Sequence, residues 1–150
     1  VPIDGPGPIA AISLGVGENA SKLVPGDFES KLIAQLAQRF PALWLDRGAG
    51  GEEAARVTAA AAGQNVRFWE GSFAGFASVI SQCDFYVGYD SGAQHAAAAA
   101  GTPLITVFAG APSPRFRTRW AAAGPGPTLL LDADTQTPDQ LLARIDQATK

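Results

Sequence analysis

Residues 84–114, DFYVGYDSGAQHAAAAAGTPLITVFAGAPSP, predict a βαβ unit at the centre of the fold. The pattern indicates a strand over Phe85–Tyr89, a polar turn at Asp90–Gly92, a helix of small residues to Ala100, and a second strand over Leu104–Phe108. Open α/β sheets bind ligands at the carboxyl ends of their strands, which is where this turn falls. The alanines predict a helix packed very closely on its own sheet, with its amino terminus directed at an anion.

The rest of the chain alternates strands and helices. Short apolar runs predict strands, and apolar residues three or four apart predict the helices between them. The predicted strands are Ile9–Leu14, Ala42–Asp46, Val66–Trp69 and Thr128–Leu131, and the predicted helices begin near Asp27, Glu52, Ser72 and Thr137. This alternation predicts an α/β fold with a doubly wound, Rossmann-like parallel sheet over residues 9–150, preceded by an extended linker at residues 1–8.

Composition is typical of a globular protein with one core. The chain has 150 residues, of which 47% are hydrophobic, enough for a single buried core. A net charge of -3 argues against a nucleic-acid-binding surface, and no apolar run approaches the ~20 residues that span a bilayer. The single cysteine, Cys83, excludes an internal disulfide and fits a reducing compartment. The absence of methionine and the opening VPIDGPGP indicate a segment of a longer protein.

The hexapeptide Asp90–His95 is the leading candidate for binding chemistry. A strand that ends in Asp and is followed by Ser and Gly brings a hydroxyl and free backbone N–H groups to a helix start, and these groups hold phosphate or diphosphate. His95 falls about one turn into the helix and could face the same anion. The alternative is that Asp90 or Ser91 only caps the helix and that His95 is an interior histidine. The whole hexapeptide at the end of a core strand favours a binding site.

The glycine-containing segments that follow the first two strands are further candidates. Gly15–Ala20 matches the dinucleotide pattern G-x-G-x-x-G/A, but the helix begins several residues later and Asp46 lies further on than a ribose-binding acid should, so a nicotinamide site is rejected. The loop is interpreted instead as a phosphate-side loop in which Lys22 supplies a positive charge. Glu52 and Glu53 begin a helix, where they either complement its dipole or accept hydrogen bonds from ribose or sugar hydroxyls.

Composition and spacing leave a possible phosphate contact open at three arginines and exclude a zinc site, a catalytic triad and a receiver-type domain. The residues Arg115, Arg117 and Arg119 alternate in a Gly- and Pro-rich segment predicted as a loop, where they either neutralise phosphate or form a solvated edge. One histidine and one cysteine cannot build a zinc site. A Ser-His-Asp triad is excluded because no G-x-S-x-G elbow is present. A receiver-type signalling domain is excluded because the first strand is not followed by a pair of acids.

These motifs resemble the carboxyl-terminal, donor-binding domain of the heptosyltransferase family, glycosyltransferase family 9, whose GT-B architecture pairs two facing Rossmann-like domains. The segment YDSGAQHAAAAAGTPLITVFAGAPSP is similar to the family's long motif that begins D-S/T-G-x-x-H-x-A-A-A-x-G-x-P. The segments ISLGVGENASKLVP, LDRGAGGEEAARV and EGSFAGFASVISQCDFYVGYDSG resemble other parts of the family pattern, so the resemblance covers nearly the whole chain.

The resemblance implies a set of donor-binding residues and no catalytic residue, because the family's catalytic base lies in its amino-terminal domain. Within the set, Asp90 is expected to fix the turn or to bond a sugar hydroxyl, not to contact phosphate. The set consists of Lys22 at the diphosphate, Glu52 (in preference to Glu53) at the ribose, Gly71, Ser72 and Phe73 near the base, and Asp90, Ser91, Gly92 and His95 around the helix start.

The implied reaction is an inverting sugar transfer that needs no metal and no cofactor. The donor is a nucleotide diphosphate sugar, ADP-heptose-like, and the acceptor is a hydroxyl of a glycan or lipid-linked carrier, as in lipopolysaccharide biosynthesis. The resemblance implies a cytoplasmic location that includes the inner face of the membrane. The amino-terminal acceptor domain is an expected partner, without which the chain is expected to be inactive. The alternative is a nucleotide-binding module with no catalysis of its own.

Overall fold

The computed structural model describes all residues, 1–150, and contains one six-stranded parallel sheet in the order β3-β2-β1-β4-β5-β6. The strands are β1 (Ile9–Ser13), β2 (Ala42–Asp46), β3 (Arg67–Trp69), β4 (Phe85–Tyr89), β5 (Leu104–Phe108) and β6 (Thr128–Asp132). The strand order reverses between β1 and β4, so a crevice forms where these two strands end. The predicted Rossmann-like α/β fold is confirmed.

Six α-helices cover the two faces of the sheet. They are α1 (Phe28–Arg39), α2 (Gly51–Ala60), α3 (Phe73–Ser81), α4 (Gly92–Ala100), α5 (Pro114–Trp120) and α6 (Pro138–Ala148). Helix α1 packs against α2 and α6 on one face, and α3 packs against α4 on the other. Each face has its own apolar core, the larger one under α1 and the smaller one under α3 and α4. None of the six helices combines the length and the apolar character needed to cross a lipid bilayer.

The small residues of α4 allow close packing on three sides. Ala93, Ala97 and Ala98 are buried, and the helix contacts α3 as well as β4 and β5. The segment after α5 also lies against it, so closely that a Cβ atom on Gly124 would stand 2.0 Å from the Ala98 carbonyl oxygen. The alanine run therefore serves contacts with α3 and with a loop in addition to the sheet.

The secondary structure differs from the sequence prediction at two places. The segment that contains the three alternating arginines is helix α5, not a loop. Ser113 caps this helix by accepting a hydrogen bond from the Phe116 N–H, and Pro114 takes the first position, where a proline costs no hydrogen bond. The loop after β1 contains a short 3-10 turn at Ala20–Lys22. Both elements are too short to show an apolar period in the sequence.

Residues 1–8 form neither a helix nor a strand, and their first residues bond to α3 and to Gln82, which follows it. The Ser78 hydroxyl donates to the Val1 carbonyl oxygen at 3.4 Å. The Ile3 N–H donates to the side-chain oxygen of Gln82 at 3.3 Å. The start of the chain is therefore held against the face of the sheet that α3 and α4 cover.

Candidate functional site

A groove of about 290 Å³ opens at the carboxyl ends of β1, β2 and β4. Its walls are the glycine loop after β1, the glycine turn after β2, and the first residues of α3 and α4. This is the crevice at which the strand order reverses, the usual ligand site of a doubly wound sheet. The fold thus brings together segments that are far apart in the sequence.

The groove collects five of the nine donor-binding residues predicted from the sequence. These five are Lys22, Phe73, Asp90, Ser91 and Gly92. The other four, Glu52, Gly71, Ser72 and His95, do not line it. Ser72 caps α3 by accepting a hydrogen bond from the Gly75 N–H at 3.1 Å, and the side chains of Glu52 and His95 are exposed. A role for these four residues at the donor stays a prediction.

Lys22 and Asp90 form an ion pair at the edge of the groove. The Lys22 ammonium lies 3.1 Å from Asp90 Oδ2, and the two side chains are 23% and 9% exposed. The other oxygen of Asp90 accepts a hydrogen bond from Gln94 Nε2 at 2.7 Å, and Gln94 in turn accepts one from the Thr106 hydroxyl at 3.0 Å. Gln94 is fully buried. These contacts fix the turn at Asp90, and a role for this carboxylate at the donor stays a prediction.

The start of α4 presents hydrogen-bond donors to the groove. Ser91 is the N-cap residue, but its side chain makes no hydrogen bond to the helix. The Ser91 Oγ atom is buried and has no partner. The first N–H groups of any α-helix also lack partners within the helix and carry a partial positive charge. Together with Lys22, these groups form a site suited to an anion.

Glu53 holds the two glycine segments of the groove together. One oxygen accepts hydrogen bonds from the Val16 and Gly17 N–H groups at 2.8 and 3.1 Å, and the other accepts from the Ala49 N–H at 2.6 Å. Burial acts to raise the pKa of Glu53, but these bonds and the Arg56 charge outweigh it, so the pKa lies below its ordinary value. The sequence favoured Glu52 at this site, whereas the structure places Glu53 in the groove.

Asp46 ends β2 on the same side of the groove. Its carboxylate accepts a hydrogen bond from the Gly48 N–H at 3.2 Å. Burial raises the pKa of Asp46 against the effect of this bond, and the negative charge of Glu53 adds to the rise. The dinucleotide pattern ends at Ala20, where only a 3-10 turn begins, and the first α-helix after β1 begins at Phe28. The acidic side chains of the groove do not gather into a group of three that could hold a metal ion.

A buried charged network behind the groove was not found from the sequence. Arg56 Nη1 bonds both carboxylate oxygens of Glu29, and Arg56 Nη2 donates to the Leu14 carbonyl at 2.7 Å. The Tyr89 hydroxyl donates to Glu29 at 2.8 Å and accepts from the Val24 N–H at 3.2 Å. The network therefore fixes both ends of the loop that carries the groove's lysine. No spacing rule could have found it, because its members come from α1, α2 and β4.

The arginines of α5 lie outside the groove. Arg117 forms an ion pair with Asp132 at the end of β6. Arg115 and Arg119 line a separate open cavity of about 830 Å³ along α5, which is larger than the groove. Its size does not make it the leading site, because it lies on one exposed helix and lacks the convergent polar groups of the crevice.

The fold and the position of the groove define a Rossmann-like α/β domain. The chain belongs to glycosyltransferase family 9 (heptosyltransferase), whose family model matches residues 3–136. This confirms the family predicted from the sequence. No curated protein sequence matches the chain.

Solved structures of this family have the same fold. The structure of Escherichia coli (E. coli) heptosyltransferase WaaC with ADP is similar with a TM-score of 0.74 and 26% identity, over 91% of this chain and 42% of that chain. E. coli ADP-heptose lps heptosyltransferase II gives a TM-score of 0.69 at 20% identity, over 95% and 46% of the two chains. A glycosyltransferase family 9 protein from Veillonella parvula DSM 2008 gives 0.67 at 12% identity, over 94% and 46%. The chain thus spans less than half the length of these structures.

Proposed function

We propose that this chain is the donor-binding half of an inverting glycosyltransferase that uses a nucleotide diphosphate sugar, ADP-heptose-like. The observation that carries the proposal is the convergence of Lys22, the Ser91 hydroxyl and the start of α4 on one crevice of the sheet. The similar WaaC structures were solved with ADP and with ADP-2-deoxy-2-fluoro heptose. The chemistry of the groove suits such a donor, because it offers Lys22 and the hydrogen-bond donors of the α4 start on one side and the acidic groups Asp46 and Glu53 on the other.

The α4 side of the groove is proposed to take the diphosphate. Negative charge builds on the leaving diphosphate as the sugar departs, and preorganised donors that face this charge lower the barrier. The N–H groups of Gly92 and Ala93, the Ser91 hydroxyl and the Lys22 ammonium would supply them without a metal ion. Asp90 keeps its bond to Gln94, so Lys22 can turn towards the phosphate while the turn remains fixed.

The opposite side of the groove is proposed to take the hydroxyl groups of the ribose or of the sugar. Carboxylates accept hydrogen bonds from hydroxyls, and this side presents Asp46 and Glu53. We assign the ribose contact to Glu53, not to Glu52, because Glu52 is exposed outside the groove. Phe73 stands at the start of α3 with 58% of its surface exposed, which suits contact with a planar base.

The other half of the reaction is proposed to come from an amino-terminal domain. In this proposal residues 1–8 are the connection, residues 9–150 are the donor domain, and the missing domain supplies the catalytic base and binds a glycan or lipid-linked acceptor. The enzyme would work in the cytoplasm at the inner face of the membrane, in lipopolysaccharide biosynthesis. The chain alone should therefore bind donor without forming product.

Calorimetric titration of the chain with ADP and UDP tests the proposed site. We expect ADP to bind, and we expect Lys22→Ala and Ser91→Ala each to weaken binding about 10- to 100-fold, because each removes a hydrogen bond to a charged group. Lys31→Ala is the matched control, since Lys31 lies on α1 and pairs only with the exposed Asp27. The assignment is wrong if neither nucleotide binds at millimolar concentration, or if both groove variants bind as the wild type does.

A second measurement separates the enzyme from a binding module. The full-length protein, incubated with ADP-heptose and a lipid-linked acceptor, should release ADP. A full-length protein that binds ADP but forms no ADP from ADP-heptose with any acceptor would favour the non-catalytic module. Product formed by residues 1–150 alone would contradict the need for a second domain.

A further inference from the structure

Tyr86, on β4, buries a hydroxyl group that has no hydrogen bond. The residue is fully buried, and its hydroxyl oxygen has no partner. An unpaired buried hydroxyl costs free energy of folding, whereas a phenylalanine of the same shape carries no such cost. A buried polar atom of this kind calls for an explanation.

The Tyr86 hydroxyl reaches towards the carboxyl end of its strand through space that Gly88 leaves open. A Cβ atom on Gly88 would stand 2.2 Å from the hydroxyl oxygen and 2.7 Å from the Ser13 carbonyl oxygen. Gly88 pairs with Ser13 of β1, at the switch point of the sheet. The polar end of the Tyr86 ring is therefore placed directly beneath the groove.

Two serines of the groove face the Tyr86 hydroxyl. Ser13 and Ser91 are its hydroxyl neighbours, and both line the groove. The Ser91 hydroxyl is itself buried and unpaired. The side chains of Ser72 and Ser113, by contrast, accept hydrogen bonds from their own helices. Two unpaired hydroxyls thus lie side by side where α4 begins.

We propose that Tyr86 is a positioning residue for the donor site, and that its hydroxyl orients the Ser91 hydroxyl towards an oxygen of the donor diphosphate. The proposal rests on the proposed function, since it names how that same groove holds its anion. A hydroxyl has one proton and can accept hydrogen bonds as well. If Ser91 Oγ accepts the Tyr86 proton, its own proton is directed into the groove. An anionic oxygen at Ser91 then completes a hydrogen-bond chain whose members polarise one another.

The surroundings of Tyr86 keep it a proton donor. Burial raises its pKa well above the ordinary value, and the negative charge of Asp46 adds to the rise. The hydroxyl is therefore neutral at pH 7. A neutral phenol can donate to Ser91, whereas a phenolate could not.

The substitution Tyr86→Phe tests the proposal through two readouts of opposite sign. We expect the thermal midpoint to stay equal or to rise by about 2–4 °C, because an unpaired buried hydroxyl is removed. We expect affinity for ADP, measured by calorimetry, to fall about fivefold, because Ser91 loses the partner that orients it. If Tyr86 had a purely structural role, a substitution that makes the fold more stable would not weaken ADP binding.

The double variant Tyr86→Phe/Ser91→Ala shows whether Tyr86 acts through Ser91. Once Ser91 is alanine, adding Tyr86→Phe should weaken ADP binding no further. Tyr89→Phe is the control for stability, and it should lower the thermal midpoint because the Tyr89 hydroxyl is paired with Glu29. If Tyr86→Phe binds ADP as the wild type does, or if the two groove substitutions have additive effects, the inference is wrong although the proposed function stands. If the wild-type chain binds neither ADP nor UDP, both fall together.

Discussion

Replacing Arg56 by methionine should destabilise the fold strongly, because it leaves a carboxylate buried without its cation. The Glu29 side chain is 9% exposed, and Arg56 supplies two of its three hydrogen bonds. Breaking a buried ion pair by removing one partner costs about 3–5 kcal/mol. The Arg56 side chain is itself 27% exposed, so water screens the pair and the lower end of this range applies, about 3 kcal/mol. For a chain of this size that loss lowers the thermal midpoint by roughly 6–12 °C.

Urea unfolding, followed by tryptophan fluorescence, measures this cost. Adding Glu29→Gln to Arg56→Met should restore about 1–2 kcal/mol, because a neutral amide replaces the stranded charge. Arg67→Met is the matched control, since Arg67 pairs with an Asp4 side chain that is 92% exposed, and it should cost less than about 1 kcal/mol. A cost below about 1 kcal/mol for Arg56→Met, or a double variant no more stable than this single one, would refute the reasoning.

Two further predictions follow from shifted pKa values. Asp46→Asn should make the protein more stable than wild type at pH 7, because the raised pKa of Asp46 means that ionisation works against the fold, while asparagine can still accept from the Gly48 N–H. Below the unfolded pKa near 3.8 the Asp46 carboxyl is protonated in both the folded and the unfolded state, so the stability difference between variant and wild type should vanish towards pH 3. Urea titrations measure both stabilities, and a variant that is less stable than wild type at pH 7 would contradict this prediction. Cys83 should resist thiol reagents at pH 8 in the native protein and react fully in urea, because burial, with a smaller effect of Asp84, raises its pKa to about 12. Native labelling at the rate of a free thiol would show that this burial is incomplete.

The fold could be predicted from the sequence where each element carries its own local signal. Strands β4 and β5 are short apolar runs bounded by turn residues, and their predicted limits agree with the structure. Helix α6 begins at Pro138, directly after the N-cap residue Thr137, with the capping box that the sequence shows. Helix α5 lacked such a signal, because its proline and glycine neighbours are equally typical of a loop.

The candidate site was predicted less completely. Its residues are brought together by helix orientations and side-chain positions, which the spacing of residues in the sequence does not encode. Glu52 and Glu53 are neighbouring residues of the same type in the first turn of α2, so the sequence does not distinguish them. The orientation of α2 decides which of the two side chains enters the groove. The apolar run of β4 predicts a buried strand but not that Gly88 leaves room for the Tyr86 hydroxyl. Glu29 and Arg56 meet because two helices pack side by side, so their pairing is a property of the tertiary structure.

The reversal of strand order also constrains how the chain can be made. Strand β1 lies between β2 and β4, and Ala10 pairs with Phe85. The edge of β1 that faces β4 therefore stays unpaired until β4 leaves the ribosome, about 75 residues later. Contacts between residues so distant along the chain form slowly, because the intervening loop must first be closed. An open strand edge is a template for unwanted pairing with other chains. A nascent chain that has emerged from the ribosome only as far as Trp69 would therefore display three strands, of which β1 has one unpaired edge.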